Sequence, residues 1–374
     1  MLVFATVGLA AWLYLTLLHG RFWILPKTPR QRKHATPRVA VIVPARNEAE
    51  VIDRSLSSLL QQEYAGEFHV FLVDDHSSDE TRYIAEGFLK QFPQRLTVVS
   101  GKPLPAGWTG KLWAMQQGWE AAQAFDPEYV WLTDADIENG SDQLYRLLTT
   151  AYNRYDLVSM MVMLHCERLT EKLFIPAFVY FFFLLYPPQW VKSRRRKIAA
   201  AAGGCILVRA ECLRKANAFT SIRGEIIDDC SLARAVKAVN GRIRLGITVH
   251  SKSIRAYGVG DIRKMISRTA FNQLGHSSLL LFACVVGMLA VFIGPFIPLF
   301  AKADYIQAMA AVACLLMFLT YVPIVRFYRL FPLYALTLPL AATFYMYATI
   351  RSAVAYWSGR GGEWKGRSQD AASA

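Results

Sequence analysis

The sequence predicts an α/β domain joined to apolar, membrane-type segments at both ends of the chain. Hydrophobic residues make up 54% of the 374 residues, more than a soluble globular domain usually carries. Long uncharged runs stand near both termini. Between them, short β-rich runs alternate with longer amphipathic runs, the pattern typical of a sheet covered by helices.

The charge balance favours an anionic partner. Forty-two Lys and Arg residues against 28 Asp and Glu leave a net charge of +14, which attracts phosphorylated ligands and lipid headgroups. The basic residues cluster beside apolar segments rather than on an aromatic-rich face, so no nucleic-acid partner is expected. The six cysteines form neither a CxxC pair nor a Cys/His cluster, so neither a zinc site nor a disulfide framework is indicated.

The first apolar run predicts a membrane anchor over residues 1–20. Leu2 to Leu18 carries no charge and would reach about 25 Å as a helix, close to the thickness of the hydrocarbon core. Cations follow this run instead of preceding it, which argues against a cleaved signal and places the next domain in the cytoplasm. They are Arg21, Lys27, Arg30, Arg32, Lys33 and Arg38. A buried core helix is the alternative.

Further apolar runs predict a membrane block of about three helices over residues 279–350. The runs Leu279 to Phe300, Tyr305 to Val325 and Leu330 to Ile350 are each near the length of one crossing. A polar tail follows over residues 351–374, and its cations leave the topology of the last segment open.

A fifth apolar stretch, Leu173 to Val191, lies inside the expected α/β domain. Three prolines interrupt it, and the basic run Lys192 to Lys197 follows. We therefore expect an interfacial or re-entrant segment, with the basic run on anionic headgroups. A buried helix followed by a solvated charge run is the alternative.

Residues 38–270 form the α/β domain, with short strands and amphipathic helices in alternation. The expected strands are Val39–Val43, Phe68–Val73, Leu96–Val99 and Tyr129–Thr133. The expected helices are Glu48–Gln61, Asp79–Phe92, Lys111–Ala124 and Ser231–Val239. This order predicts a largely parallel sheet, and polar clusters follow its strand ends, where open α/β sheets bind ligands.

Paired carboxylates follow the fourth expected strand. Asp134 and Asp136 are two residues apart in an extended segment, so their side chains should emerge on the same side. A divalent metal, Mg²⁺ or Mn²⁺, accounts for such a pair because it binds carboxylate and phosphate oxygens together. A solvated turn is the alternative for an isolated Asp-x-Asp.

Other polar residues at strand and helix ends complete the candidate site. Asp75 can accept hydrogen bonds from a nucleobase or ribose, whereas Glu48 either binds ligand or only stabilises a helix start. Lys111 opens a helix and can meet a phosphate, although the chain has no GxxxxGK[ST] loop. Asp228 and Asp229 precede a helix, either as a cap or with Asp229 as a general base.

Several motifs together resemble the family 2 glycosyltransferases with a GT-A fold, over residues 38–270. They are Val41-Ile-Val-Pro-Ala-Arg-Asn-Glu48, Val73-Asp-Asp-His-Ser-Ser-Asp-Glu-Thr81, Gly110-Lys111, Asp134-Ala-Asp136 and Asp228-Asp229. The segments Pro105–Trp113, Leu164–Glu167, Ile175–Phe178 and Ala202–Arg209 are similar to the bacterial hopene-associated glycosyltransferases. The resemblance implies a Rossmann-type nucleotide-sugar-binding domain.

The resemblance also implies roles for individual residues. The nucleotide sugar would be held by Pro44, Glu48, Asp75, Lys111, Asp134 and Arg268. Asp136, together with Asp134, would bind the metal, and Asp229 would be the catalytic base. Asp228 stands where the family has a glutamate. Processive members carry Gln-x-x-Arg-Trp, of which Met265-Ile-Ser-Arg268-Thr269 keeps only the cation, so non-processive transfer is expected.

The chain is therefore expected to be a multi-pass protein of the bacterial inner membrane with its catalytic domain in the cytoplasm. Its expected reaction is the inverting transfer of a sugar from a nucleoside diphosphate sugar to a membrane lipid, which we expect to be hopanoid-related. Two alternatives are open. One is a polyprenyl-phosphate sugar synthase, whose acceptor is already ionised, and the other is a catalytically silent membrane scaffold that binds lipid.

Overall fold

The computed structural model describes residues 1–26 and 35–359, together with the backbone of residues 363–364 and 367–368. The chain forms two units. The sheet unit comprises residues 26–165, 191–255 and 363–374, and the helical unit comprises residues 1–25, 166–190 and 256–362. Among the predicted features, the cations Lys27, Arg30, Arg32 and Lys33 and residues 360–362, 365–366 and 369–374 of the polar tail lie outside the described residues.

The strands and helices are numbered along the chain. The strands are β1 Val39–Ala45, β2 Phe68–Asp74, β3 Leu96–Ser100, β4 Tyr129–Leu132, β5 Ile137–Asn139, β6 Leu157–Met163, β7 Ile206–Arg209, β8 Ile243–Ser253, β9 Glu363–Trp364 and β10 Arg367–Ser368. The helices are α1 Leu2–Leu13, α2 Ile52–Leu60, α3 Thr81–Gly87, α4 Gly110–Ala122, α5 Gln143–Ala151, α6 Leu169–Leu185, α7 Pro188–Lys192, α8 Ala210–Ala216, α9 Ala218–Ser221, α10 Asp228–Ala238, α11 Val259–Ser267, α12 Ala270–Gln273, α13 Ser278–Met288, α14 Asp304–Phe327 and α15 Leu338–Trp357.

The sheet unit is built on one mixed sheet of eight strands, in the order β3-β2-β1-β4-β7-β6-β8-β5. β3, β2, β1 and β4 are parallel, as the alternating pattern predicts. β7 runs antiparallel to both of its neighbours, and β5 runs antiparallel to β8. β6 and β8 are parallel to each other, and the two antiparallel pairings of β7 give them the same direction as β4. The expectation of a largely parallel sheet is therefore confirmed, and β7 and β5 are its exceptions. For β7 the reason is connectivity: the chain passes through residues 166–190 of the helical unit before β7, so no βαβ crossover sets that strand's direction.

The core of the sheet unit places α4 directly against the parallel strands. β1 is buried along its whole length, as expected for a strand covered on both faces. Gly118 in α4 allows the close approach, because a Cβ there would lie 2.5 Å from Cγ2 of Ile42 in β1. This packing sets the start of α4, and with it Lys111, near the carboxyl ends of the strands.

The predicted helix at Glu48–Gln61 begins four residues late, at Ile52. Side chains of the next loop fix the backbone before it: Thr81 Oγ1 accepts a hydrogen bond from Glu48 N at 2.7 Å, and Asp79 Oδ2 accepts one from Ala49 N at 3.0 Å. These bonds satisfy amide groups that a longer helix would leave without partners at its first turn. The loops after β1 and β2 are thereby joined.

The helical unit contains three segments that are long and apolar enough to cross a membrane. They are Ser278–Phe300, Asp304–Phe327 and Pro332–Trp357, whereas Leu2–Leu18 is apolar but shorter. α6 contains Pro176 in its interior, so the expected break at this proline is wrong. Helix packing holds α6 in place: Tyr180 Oη lies 3.0 Å from Thr320 Oγ1 in α14, and Tyr345 Oη of α15 donates to Phe174 O.

The basic run Lys192–Lys197 is exposed, and hydrogen bonds link the residues on its two sides. Lys192, Arg194, Arg195 and Lys197 all have exposed side chains. Lys237 Nζ donates to Val191 O at 3.0 Å and to Ile198 O at 2.6 Å, which ties the two ends of the run together.

Candidate active site

Three elements of the sheet unit bring a lysine and two carboxylates together. Lys111, the second residue of α4, has its Nζ 2.8 Å from Oδ1 of Asp134, which follows β4. The same nitrogen lies 3.1 Å from Oδ2 of Asp228, the first residue of α10. The side chains are mostly enclosed, with 18% of Lys111 and 18% of Asp228 exposed. The ammonium group therefore bridges acids that are 94 residues apart in sequence.

Asp229 lies next to this bridge and is held by backbone amides. Its Oδ2 accepts a hydrogen bond from Gly203 N at 2.9 Å, and its Oδ1 accepts one from Cys230 N at 2.7 Å. Gly203 touches the whole cluster: a Cβ there would lie 3.4 Å from Lys111 Nζ, 3.5 Å from Asp229 Oδ2 and 3.7 Å from Asp134 Oδ2. The glycine leaves this space open between the three charged groups.

Burial and neighbouring charge set the protonation of the cluster. Burial raises the pKa of Asp229 to about 6, the Asp228 carboxylate adds to the rise, and Lys111 opposes it. Burial alone would lower the pKa of Lys111, but the carboxylates of Asp134 and Asp228 outweigh it and hold this pKa above its ordinary value. Near neutral pH, Lys111 is thus a fixed cation and Asp229 is a carboxylate of raised basicity.

A pocket opens onto these groups. Its charged lining residues are Lys111, Asp134, Asp228 and Asp229, and Pro44 and Gly203 also line it. The remaining lining is apolar and consists of Leu112, Met115, Leu132, Ile206, Phe219, Ile222 and Leu232, with Thr133. Apolar walls exclude water, and this exclusion is the physical source of the raised Asp229 pKa.

Asp136 belongs to a second set of contacts. Its Oδ2 accepts a hydrogen bond from Ser253 Oγ at 3.0 Å and lies 3.6 Å from Arg255 Nε. Arg255 also forms a close ion pair with Glu48. Burial raises the pKa of Asp136, and the charge of Asp134 adds to this.

Asp134 and Asp136 therefore face different protein cations, Lys111 and Arg255, instead of converging on one cation as the spacing predicts. The reason is the attachment of Asp136 to the end of β8. Ser253 holds its carboxylate, and Ile254 N donates to Asp136 O at 3.0 Å.

Asp75 is fully buried at the end of β2. Arg46 Nη1 lies 3.8 Å from its Oδ2 and donates a hydrogen bond to its backbone oxygen at 2.5 Å. Asn47 ties the neighbouring loops together, since its N donates to Ser77 Oγ and its Oδ1 accepts from Ser78 N. Asp75 therefore lies where hydrogen bonds join the loop after β1 to the loop after β2.

The structure groups most of the predicted site residues. Pro44, Lys111, Asp134 and Asp229 line one pocket, and Glu48 is linked to Asp136 through Arg255. Arg268 directly follows α11 in the helical unit.

Sequence reasoning missed Gly203, Ser253 and Arg255. A signal for the last two was present: β8 is an eleven-residue β-rich run, and both polar residues come at its end. A predicted strand over this run would have added Ser253 and Arg255 to the candidate residues at strand ends.

The charges of the site fit a divalent cation. Glu48, Asp134, Asp136, Asp228 and Asp229 face two cations, Lys111 and Arg255, which leaves three negative charges when all five acids are ionised. Within residues 1–26 and 35–359, no three His, Cys, Asp or Glu side chains are already grouped to hold a metal. Asp134 and Asp136 would supply carboxylate ligands, and the remaining ligands would come from the bound diphosphate.

Residues 40–216 match the family model for glycosyl transferase family 2. The expected glycosyltransferase domain is thereby confirmed.

A solved structure with the same fold was compared with this chain. It is a mannosyltransferase from Pyrobaculum calidifontis in complex with GDP-Man and Mn²⁺, with a TM-score of 0.60 and 19% sequence identity. The match covers 94% of this chain and 99% of that chain. It confirms the expected GT-A-like α/β fold.

Curated relatives match part of this chain. A beta-monoglucosyldiacylglycerol synthase from Synechocystis sp. is 33% identical over 116 residues, which is 30% of this chain and 22% of the relative. A 4,4'-diaponeurosporenoate glycosyltransferase from Staphylococcus haemolyticus is 26% identical over 145 residues, or 39% of this chain and 36% of the relative. The matched part of this chain thus spans well under half the length of these relatives.

Proposed function

We propose that this chain is a membrane-bound inverting glycosyltransferase that moves a sugar from a nucleoside diphosphate sugar to a membrane lipid. One observation carries the proposal. The carboxylate Asp229, with its raised pKa, lies beside the Lys111–Asp134 ion pair, and this pair belongs to the residues that match the family 2 model. Such a transfer needs two charged groups. One is a carboxylate that is basic enough to accept a proton, and the other is a fixed cation that faces the anionic leaving group.

Asp229 is the proposed base. Each of its oxygens accepts one backbone hydrogen bond, so each keeps a lone pair for the hydroxyl of an acceptor. The carboxylate takes the hydroxyl proton as the acceptor oxygen attacks the sugar carbon, and the bond to the diphosphate breaks on the opposite face. A single displacement of this kind inverts the configuration at that carbon. Gly203 N and Cys230 N fix the carboxylate in position during the attack.

Lys111 is proposed to neutralise charge on the departing diphosphate. Its position between Asp134 and Asp228 fixes the ammonium group before the donor arrives, so little reorganisation is needed when charge develops. Asp134 and Asp136 would hold a Mg²⁺ or Mn²⁺ ion, which supplies further charge neutralisation at the diphosphate. Pro44, Glu48 and Asp75 are proposed to bind the nucleotide, and Arg268 keeps its proposed contact with the donor.

The apolar segments of the helical unit support a lipid acceptor. Three segments of the helical unit have the length and composition of membrane crossings. The names of two relatives, a diacylglycerol glucoside synthase and a diaponeurosporenoate glycosyltransferase, indicate lipid-type acceptors for those proteins. We propose a hopanoid-related acceptor here, and a place in the bacterial inner membrane with the sheet unit on the cytoplasmic side.

The test is a comparison of lipid extracts from cells with and without the protein by mass spectrometry. We expect a glycosylated lipid that disappears when the gene is deleted. The purified chain in nanodiscs should then transfer sugar from one of a panel of UDP- and GDP-sugars to a hydroxylated hopanoid. Transfer only to polyprenyl phosphate would identify a polyprenyl-phosphate sugar synthase instead, and no transfer to any lipid would contradict the proposal.

A further inference from the structure

Arg255 connects two residues of the proposed donor site that are far apart in the chain. Its guanidinium group forms a close ion pair with Glu48, 207 residues away, and its Nε lies 3.6 Å from Oδ2 of Asp136. The three side chains are only 33%, 11% and 16% exposed, respectively. A partly enclosed cation therefore stands between two acids.

The backbone fixes this position independently of the side chains. Ile254 N donates a hydrogen bond to Asp136 O, and Ile137, the residue after Asp136, is paired in register with Ser253 of β8. Arg255 thus begins next to Asp136 whatever rotamer it adopts, and only its guanidinium group is able to leave the carboxylate.

We propose that Arg255 occupies the cation position beside Asp136 while the donor site is empty, so that a divalent cation binds tightly only together with a diphosphate. This inference rests on the proposed function, because it takes Asp136 as a ligand of the divalent cation. It adds a residue that controls when that cation binds.

The argument is one of charge. A free divalent cation approaching Asp136 meets a guanidinium group in a partly buried place, where like charges repel strongly because solvent screens them little. A divalent cation that arrives with a diphosphate brings negative charge with it. Arg255 can then exchange Asp136 for a phosphate oxygen while keeping Glu48, since a guanidinium group has several donors in one plane.

Direct cation binding tests this control by Arg255. Mn²⁺ binding to the full chain in detergent is measured by electron paramagnetic resonance, first with Mn²⁺ alone and then with added inorganic pyrophosphate. We expect weak Mn²⁺ binding to the wild-type protein without pyrophosphate and tighter binding with it. In Arg255→Gln, Mn²⁺ alone should bind about tenfold more tightly, a size usual for linked sites, and the gain from pyrophosphate should shrink by the same factor. Pyrophosphate also binds Mn²⁺ in solution. This effect is the same for every variant and therefore cancels when the variants are compared.

Two further variants separate this role from general effects of charge and folding. Arg255→Lys keeps the cation and should restore most of the wild-type coupling. Lys252→Gln removes one positive charge three residues away, from a more exposed pair with Glu138, and should leave Mn²⁺ binding unchanged. Thermal unfolding of each variant checks that the chain is folded.

The outcomes distinguish this inference from the proposed function. Equal Mn²⁺ affinity in the wild type and Arg255→Gln would overturn the inference, as would an equal shift in Lys252→Gln or an absence of Mn²⁺ binding to every variant. Sugar transfer is assayed separately with the wild-type protein. Transfer without the Arg255 effect rejects the inference alone, whereas the Arg255 effect without transfer to any lipid rejects the proposed function alone.

Discussion

Replacement of Asp229 by asparagine isolates the charge of the proposed base, because the two side chains have nearly the same shape. A general base of this kind contributes about 10²- to 10⁴-fold to the rate. We therefore expect Asp229→Asn to slow sugar transfer by that factor, equivalent to about 3–5 kcal/mol in the activation barrier. Donor binding should persist, since Lys111 and Asp134 keep their contacts.

The same substitution has two opposing effects on stability. Asparagine has one acceptor oxygen, so either Gly203 N or Cys230 N loses its partner, at a cost of about 1–3 kcal/mol. The rise of the Asp229 pKa from 3.8 to about 6, caused by burial and the Asp228 charge, corresponds to about 3 kcal/mol of penalty on the ionised form. A neutral amide escapes this penalty. The two effects nearly cancel, so we expect the unfolding temperature to change by only a few degrees.

The pH dependence of kcat/KM provides the deciding assay. Because the pKa of Asp229 is raised, the wild-type base becomes protonated as the pH falls through about 6, and activity should fall there. Lipid product is quantified by mass spectrometry between pH 5 and pH 8. The exposed Asp126, which pairs with Arg38, serves as the control through Asp126→Asn. Transfer by Asp229→Asn at the wild-type rate, or the same loss of activity near pH 6 in that variant, would refute the assignment.

Three other changes test the metal, the packing and the membrane contact. Asp136→Ala should abolish the dependence of donor binding on Mn²⁺, measured by calorimetry, and unchanged dependence would remove Asp136 from the metal site. Gly118→Ala should lower the free energy of unfolding by about 1–3 kcal/mol, because its Cβ would lie 2.5 Å from Cγ2 of Ile42, and a wild-type denaturation midpoint would contradict this packing. Arg194→Ser with Arg195→Ser should reduce transfer in anionic nanodiscs but not in zwitterionic ones, since each cation near an anionic surface contributes about 1 kcal/mol of attraction, and equal loss in both would exclude a headgroup contact.

The sequence was informative where burial dictates the pattern. Val39 to Val43 reads as a strand because every residue is apolar, and the structure buries all of them. The start of α2 could not be read in this way. It depends on Thr81 and Asp79, whose side chains reach back from the next loop to the amides of Glu48 and Ala49. Contacts between distant segments of this kind leave no periodic signal in the chain.

In the candidate site, too, some residues could be predicted from the sequence and others could not. Asp75, Asp134 and Asp136 were found because each follows a strand, and strand ends meet at one edge of a parallel sheet. The partners of these acids could not be derived in the same way. Arg255 reaches Asp136 from the end of β8, which pairs with β5 directly after Asp136, and no local pattern in the sequence predicts this pairing of segments far apart in the chain.

The surplus of negative charge connects the proposed base with the proposed cation site. Burial and the charge of Asp228 raise the pKa of Asp229, whereas the charge of Lys111 and the hydrogen bonds from Cys230 N and Gly203 N lower it. Any further positive charge bound at Asp134 would act in the same direction as Lys111 and lower the pKa of Asp229. By linkage, ionisation of Asp229 must then favour cation binding to the same degree. The acids that are unfavourable together in the empty site thus give it affinity for a cation, and the bound cation keeps the base ionised.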